Sequence, residues 1–378
     1  MSSRHSRPTG RAAIVILATL SVIVGVGQTG TDEPAAGLVA PTSTPSTATA
    51  TAPKAVSSPA AVVTAPPPAA QLGFFPGDSH LFGYNFLEAF LGHSAKYVVQ
   101  MADTRSVSQF EGSVWGEVVK SGQWQTVSGR LTFVLSVPLT IGLPYGSKTG
   151  QRAALQATAS GANDFPYRLI SQYLKQGGYP DAIIRLGYEF DGDWMPWSAK
   201  GNEALWVSAY RRIHDIMHAE SPTFRFDWNG DPGYMKNETA AYPGDGYVDI
   251  IGLDIYDRSL GVPWNSKTQS WTNPPAAFNT LVPGLTFQRD FAIAHHKQVS
   301  YPEWALSRSN TSVVSGQGGD DPAFVRGMYN WMNALPRTGP GSLAYHAYFN
   351  ADIPNDGYHR LGNFPSAAAL FRTLFGAP

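Results

Sequence analysis

The stretch Arg185-Leu186-Gly187-Tyr188-Glu189-Phe190-Asp191-Gly192-Asp193-Trp194-Met195-Pro196-Trp197 indicates the fold class of this chain. The apolar run Ala182–Ile184 leads into it as a buried strand would. The strand ends at Glu189, and a loop with two tryptophans follows. Parallel barrels place catalytic side chains at the C-terminal ends of their strands in this way. Such a loop also suits a sugar, because sugar C–H faces stack on rings while carboxyl groups act on C–O bonds. The alternative is a buried strand in which Glu189 pairs with Arg185.

Strand-like segments alternate with helical patterns through the rest of the chain. The eight strand candidates are Leu81–Asn85, Tyr97–Ala102, Leu131–Val137, Ala182–Tyr188, Phe224–Trp228, Val248–Ile255, Gln298–Glu303 and Leu343–Phe349. Eight strands with helices between them predict a (β/α)8 barrel. A doubly wound open sheet is the competing fold, but no glycine-rich phosphate loop follows the first strand candidate.

Composition divides the 378 residues into three regions. Residues 1–27 combine a basic start with a short apolar run, which predicts a signal peptide, with an uncleaved membrane anchor as the alternative. Residues 28–72 are mostly Ala, Pro, Thr and Ser, with too little bulky apolar surface to fold, so we expect a disordered linker there. Residues 73–378 have a globular composition and form the predicted folded domain. We therefore expect a secreted protein.

Charge and composition exclude several classes of function. The net charge of −1 gives no electrostatic argument for binding nucleic acid or an anionic membrane. The absence of cysteine excludes disulfides and thiolate chemistry. No His-Glu-x-x-His or similar ligand spacing appears, so we expect no metal and no cofactor. A monomer is expected.

A second stretch, Val299–Leu306, repeats the pattern of a strand that ends in a glutamate with an aromatic residue after it. In barrel order Glu189 ends the fourth strand and Glu303 the seventh. Glycoside hydrolysis needs two carboxyl groups across the scissile bond, one to protonate the leaving oxygen and one to attack the anomeric carbon or activate water. Two glutamates on separate strands supply that pair without a metal.

Three segments resemble motifs of glycoside hydrolase family 26. The stretch around Glu189 resembles the family's acid/base strand, Tyr301–Ala305 its nucleophile strand and Val248–Tyr256 its sixth strand. The resemblance implies that residues 73–378 form the catalytic domain of a retaining endo-β-glycanase. It implies β-mannan as the first candidate substrate, with β-glucan or β-xylan as the next candidates. It implies that Glu189 is the general acid and base, and that Glu303 is the nucleophile. Retention requires their carboxyl groups to lie about 5–5.5 Å apart.

Other predicted contacts with the substrate lie near strand ends or in the loops that follow them. Tyr188 replaces the family's usual histidine, and Asp191-Gly192 replaces its usual Asn-Gly. Tyr256 is a candidate hydrogen-bond donor to Glu303. The predicted substrate-binding residues are Tyr188, Asp191, Trp194, Trp197, Trp228, Asn229, Tyr256, Trp304, His346 and Phe349.

Three other functions remain open at this stage. The chain could be a non-catalytic carbohydrate-binding barrel, although such a protein would not need both glutamates. It could be a structural protein associated with the cell wall, which only the predicted signal and linker favour. A transglycosidase would use the same two carboxyl groups with a sugar as the acceptor.

Overall fold

The computed structural model describes residues 68–77, 80–258, 262–265, 267–268, 270–309, 316–354 and 357–376. The predicted signal peptide and residues 28–67 of the predicted linker lie outside this part of the chain. Among the described residues, no helix combines the length and the hydropathy needed to cross a membrane.

Eight parallel strands close into a barrel, which confirms the predicted (β/α)8 fold and excludes the open sheet. The barrel strands are β1 (Leu72–Phe75), β2 (Tyr97–Met101), β3 (Thr132–Val137), β4 (Ile183–Leu186), β5 (Arg225–Gly230), β6 (Ile250–Leu253), β7 (Gln298–Ala305) and β8 (Leu343–Phe349). Closure is made by β8 and β1, which pair in parallel register from Leu72 opposite His346 to Phe75 opposite Phe349. Each strand is buried along most of its length, as expected for a parallel sheet covered by helices.

The helices form a layer around the barrel. They are α1 (His80–Leu91), α2 (Val107–Trp115), α3 (Gln151–Ser160), α4 (Asp164–Gln176), α5 (Glu203–Glu220), α6 (Pro274–Asn279), α7 (Val282–Ala294), α8 (Pro322–Ala334) and α9 (Pro365–Phe375). Two short elements are added to the barrel. They are the two-residue strand Ile255–Tyr256 after β6 and a small antiparallel hairpin of Trp264–Asn265 with Ser270–Trp271. Both lie in the long connection between β6 and α6, on the side of the barrel where the strands end.

The first strand differs from the prediction. The predicted strand Leu81–Asn85 belongs to α1, whose buried residues Tyr84, Leu87 and Leu91 recur at helical spacing. The actual first strand is Leu72–Phe75, so the predicted linker 28–72 ends too late and residues 68–72 belong to the fold. Gly73 allows this strand to approach β2 closely, because a Cβ atom at this position would lie 2.5 Å from the Tyr97 carbonyl oxygen.

Candidate active site

Glu303 lies on β7 with both carboxylate oxygens engaged. The Arg185 Nη1 group on β4 donates to its Oε1 atom over 2.7 Å. The Tyr256 hydroxyl donates to its Oε2 atom over 2.9 Å, which confirms the predicted hydrogen bond. Arginine keeps its charge at all ordinary pH values, and a hydrogen bond to a charged group is stronger than one between neutral groups. These two donors stabilise the ionised form of Glu303.

Arg185 joins several strands inside the barrel. Its Nη1 group also donates to Ser136 Oγ on β3 over 2.7 Å. Its Nη2 group donates to Asn229 Oδ1 on β5 over 2.8 Å and to Asp254 Oδ2 after β6 over 2.7 Å. The side chain is fully buried. A buried cation must be compensated, and the planar guanidinium reaches two carboxylates at once.

Glu189 is presented by a sharp turn directly after β4. Its φ of +48° lies in the left-handed region, which residues with a side chain seldom adopt. The Trp197 indole donates to the Tyr188 carbonyl over 2.7 Å, and the Ala199 amide donates to the Phe190 carbonyl over 2.7 Å. These two bonds, one on each side of Glu189, hold the turn. Strained backbone kept in place by its surroundings is typical of functional positions.

The environment of Glu189 favours its protonated form. Desolvation by burial, followed by the nearby charge of Glu303, raises the pKa of Glu189 to about 8. The Trp194 indole donates to Glu189 Oε2 over 2.6 Å and acts in the opposite direction. Glu189 therefore holds a proton at neutral pH and can serve as a general acid.

Glu189 and Glu303 meet at the C-terminal mouth of the barrel. Oxygen atoms of Glu189, Glu303 and Asp254 lie within 4.8 Å of one another. Among the described residues this is the one group of three acidic, histidine or cysteine side chains close enough to share a metal ion. Arg185 already donates to two of the three, so the charge of Asp254 and Glu303 is compensated by the protein itself.

Comparison with known proteins shows which family the chain resembles. The model of Glycosyl hydrolase family 26 matches residues 170–282, a range that contains Glu189, Arg185 and Tyr256. This part of the chain is similar to glycosyl hydrolase family 26. The resemblance predicted from the three motifs is thus confirmed.

Two relatives of this chain carry different activities in their names. Endoglucanase H of Acetivibrio thermocellus is 27% identical over 209 residues, which are 51% of this chain and 20% of the relative. Mannan endo-1,4-beta-mannosidase of Bifidobacterium adolescentis is 29% identical over 153 residues, which are 38% of this chain and 14% of the relative. The chain thus spans a fifth or less of the length of these two relatives.

Solved structures of family 26 proteins share the fold. GH26C from Muricauda sp. has a TM-score of 0.57 and 17% identity, with 82% of this chain and 87% of that chain covered. A modular endo-beta-1,4-mannanase from Cellulomonas fimi has a TM-score of 0.58 and 15% identity, with 82% and 70% covered. At this level of identity the likeness establishes the barrel.

Three of the predicted substrate contacts, Trp228, Trp304 and His346, are fully buried on the helical side of the barrel. Trp228 stacks on Phe190 at 4.6 Å between ring centroids, and Trp304 stacks on Phe371 of α9 at 5.6 Å. His346 accepts a hydrogen bond from Trp304 Nε1 over 3.0 Å and contacts the Pro68 carbonyl over 2.9 Å. Neighbouring residues of a strand point to opposite faces. Because Glu303 and Asn229 face the barrel interior, Trp304 and Trp228 must face the helices.

Three further predicted contacts have structural roles instead. Asn229 is fully buried and donates from Nδ2 to Asp254 Oδ1 over 3.1 Å. Asp191 is 1% exposed, and both of its oxygens accept from the Asp231 backbone amide. Trp197 is fully buried beside Tyr188, with 4.9 Å between the ring centroids. None of these three presents a surface to a substrate in this structure.

Four predicted contacts lie close to the glutamate pair, and their role toward a substrate stays a prediction. Trp194 and Tyr256 touch Glu189 and Glu303 directly, as described above. Tyr188 packs against Arg185 at 5.2 Å from its guanidinium carbon, and its hydroxyl shares a hydrogen bond with the Tyr145 hydroxyl. Phe349 stacks on Phe75 at 4.6 Å and meets the Tyr256 ring edge-on at 5.9 Å.

Sequence analysis missed two contributors to the site. Arg185 pairs with Glu303 and Asp254, whereas the sequence predicts it only as a possible partner of Glu189; a charged residue in an otherwise apolar strand must find a buried partner. Tyr234, in the loop after β5, is 45% exposed and meets Trp194 edge-on at 5.7 Å. The charge of Arg185 in the apolar strand β4 could have indicated its role, whereas no sequence pattern indicates that Tyr234 lies near the site.

Proposed function

We propose that this chain is a retaining endo-β-glycanase that hydrolyses β-mannan by double displacement. The observation that carries the proposal is the pair Glu189 and Glu303, in which one carboxyl oxygen of each residue lies within 4.8 Å of the other. Retaining enzymes hold their carboxyl groups about 5–5.5 Å apart, whereas inverting enzymes leave about 6.5–9.5 Å for a water molecule. The observed spacing therefore supports direct attack by a carboxylate.

The first step uses the two glutamates in opposite protonation states. Glu189 gives its proton to the glycosidic oxygen, which leaves as a hydroxyl group. Glu303, ionised and held by Arg185 and Tyr256, attacks the anomeric carbon and forms a glycosyl ester. The environment that raises the pKa of Glu189 thus supplies the acid needed for this step.

The second step reverses the roles. Glu189, now ionised, removes a proton from a water molecule, which attacks the anomeric carbon and breaks the bond to Glu303. Both carboxyl groups return to their starting states, and the configuration of the sugar is retained. A sugar acceptor in place of water would give transglycosylation.

The names of the relatives support β-mannan as the preferred substrate and β-glucan as the second candidate. The Bifidobacterium relative is named a mannan endo-1,4-beta-mannosidase, and so is a Bacillus subtilis relative that is 29% identical over 120 residues. The Acetivibrio relative is named an endoglucanase. Reducing-end release from mannan, mixed-linkage glucan and xylan decides among them. Binding without release would instead identify a non-catalytic carbohydrate-binding barrel.

The roles of Glu303 and Glu189 are tested with separate substitutions. Glu303→Ala should abolish turnover while the protein stays folded, and azide should restore activity with inversion of the product. Glu189→Gln should lose less activity on substrates with good leaving groups than on poor ones, since only poor leaving groups need the acid. Asp215→Ala, an exposed carboxylate on α5, is the control. Full activity of Glu303→Ala would refute the mechanism.

We also propose that the protein is secreted. The support is the basic and apolar pattern of residues 1–27 in the sequence. Expression of the full chain followed by analysis of the culture medium tests this proposal. Mature protein that lacks the first 27 or so residues is expected in the medium, and protein retained entirely in the membrane fraction would indicate the anchor instead.

A further inference from the structure

A half-exposed tyrosine lies beside the loop that carries Glu189. Tyr234, in the loop after β5, is 45% exposed, whereas the next residue, Met235, is 1% exposed. The Tyr234 ring meets the Trp194 ring edge-on, with 5.7 Å between the centroids and 68° between the planes. Within the described part of the chain, the Tyr234 hydroxyl has no hydrogen-bond partner. The loop thus presents to solvent a ring and a hydroxyl that is free to bond.

The loop that carries Tyr234 is tied to the loop that carries Glu189. Both oxygens of Asp191 accept from the Asp231 backbone amide, over 3.1 and 2.8 Å. Asp231 Oδ1 in turn accepts from the Gly233 amide over 2.8 Å, and the Asp231 carbonyl accepts from the Tyr234 amide over 3.2 Å. These bonds connect the two loops through Asp231. Tyr234 is therefore held at a fixed place relative to the acid turn.

The underside of this loop packs on the helical layer. A Cβ atom at Gly284 of α7 would lie 2.3 Å from the Pro232 carbonyl oxygen, so the loop backbone rests directly on the helix. The Met235 amide donates to the Asp231 carbonyl over 3.1 Å, and the Met235 side chain is buried. The loop thus buries its methionine and leaves the ring of Tyr234 partly outside. A rigid aromatic ring with one exposed side offers a ligand a large contact area and loses little conformational entropy on binding.

Trp194 connects Tyr234 to the proposed general acid. The Trp194 indole donates to Glu189 Oε2 over 2.6 Å. Glu303 instead accepts from the Tyr256 hydroxyl over 2.9 Å. In a retaining hydrolysis the acid protonates the oxygen that departs with the leaving sugar, and the nucleophile attacks the sugar that stays on the enzyme. A side chain that adjoins the acid through Trp194 therefore lies on the leaving-group side of the scissile bond.

We propose that Tyr234 binds the sugar on the leaving-group side of the scissile bond and makes the enzyme prefer chains that continue beyond the linkage it cleaves. The ring contacts the C–H face of that sugar, and the hydroxyl donates to one of the sugar oxygens. This role rests on the proposed function. Tyr234 is a specificity-determining residue, because its contact requires a leaving group large enough to reach it.

The same contact acts in the second step of the reaction. A sugar acceptor can occupy the place that the leaving sugar has vacated. Its hydroxyl oxygen then bonds to the anomeric carbon, its proton passes to Glu189, and the bond to Glu303 breaks. By holding the acceptor beside the glycosyl ester, Tyr234 raises the share of transglycosylation relative to hydrolysis.

The test compares Tyr234→Ala with the unsubstituted protein on two substrates that differ in the leaving group. Mannohexaose fills the leaving-group side, whereas β-mannobiosyl fluoride releases only fluoride, which is too small to reach Tyr234. The substitution should lower kcat/KM on mannohexaose on the order of tenfold and change it by less than about twofold on the fluoride. Cellohexaose and β-cellobiosyl fluoride serve as the second pair, since β-glucan is the second candidate substrate.

Two further variants separate the parts of the side chain and provide the control. Tyr234→Phe keeps the ring and removes only the hydroxyl, so it should recover most of the activity that Tyr234→Ala loses on mannohexaose. Phe86→Ala removes another exposed ring, which is 68% exposed on α1, and should leave both activities unaffected. Since Tyr234 is half exposed, Tyr234→Ala should melt within about 2 °C of the unsubstituted protein.

The acceptor reaction supplies an independent measurement. With β-mannobiosyl fluoride and added mannobiose, Tyr234→Ala should yield less mannotetraose per fluoride ion released. Equal losses of kcat/KM on mannohexaose and on the fluoride, or no loss on either, would overturn the role of Tyr234. If the unsubstituted protein hydrolyses none of these compounds, the proposed function fails, and calorimetric binding of mannohexaose and cellohexaose to both proteins still decides whether Tyr234 contacts a glycan.

Discussion

Removing the charge of Glu303 should lower the proton affinity of Glu189. Their oxygens lie within 4.8 Å, and at this distance two unit charges repel by about 0.9 kcal/mol in water and about 3.5 kcal/mol at an effective dielectric constant of 20. Since about 1.36 kcal/mol corresponds to a factor of ten, Glu303→Gln should lower this affinity between about fourfold and about 350-fold. The pKa of Glu189 should therefore fall from about 8 toward its ordinary value.

Carbon-13 NMR of labelled glutamate side chains measures this change directly. The inactive Glu303→Gln variant is titrated with and without Glu189→Gln, so that the Glu189 signal is assigned by its loss. In the unsubstituted protein the same pKa should appear as the alkaline limit of activity, because the acid must hold its proton.

Asp193→Asn is the control for this titration. Asp193 lies in the loop of Glu189, is half exposed and pairs with Lys148 over 2.7 Å. Exposed pairs interact weakly, so the pKa of Glu189 should change little. An unchanged or higher pKa of Glu189 in Glu303→Gln would refute the reasoning, because the two charges would then not be coupled at the observed distance.

Three further predictions concern the frame of the site. Arg185→Met should destabilise the fold by about 3–5 kcal/mol in urea unfolding and abolish activity, because Glu303 and Asp254 lose their buried cation; a stable, active variant would contradict this. Burial lowers the pKa of His346 to about 4, so the free energy of unfolding should fall by about 3 kcal/mol as the pH falls from about 6.5 to 4. His346→Gln should reduce this loss in thermal melts. Gly187→Ala should cost about 1 kcal/mol or more and lower kcat, since Gly187 has a φ of +61° and faces Trp206; unchanged melting and kcat would show that the turn tolerates a side chain.

The local patterns of the chain were sufficient to predict most of the barrel. The strand Ile183–Leu186 is apolar apart from Arg185 and is buried throughout, as expected for a strand of a parallel sheet. The exception was β1, a four-residue strand with a glycine, which is too short to carry a period. The next segment, Leu81–Asn85, is too short to show the helical spacing that becomes visible only over the longer range of Tyr84, Leu87 and Leu91.

The sequence by itself determined that Glu189 and Glu303 stand at strand ends, because an apolar run that stops at a carboxylate is a local feature. Only the tertiary structure decided which groups those strand ends meet. Arg185 finds acceptors on four separate strands or loops, which lie between 44 and 118 positions away from it in the chain. The burial of Trp228 and Trp304 depends on which face of the strand points into the barrel. Such pairings depend on closure of the barrel, which brings distant strands together, and no local pattern records them.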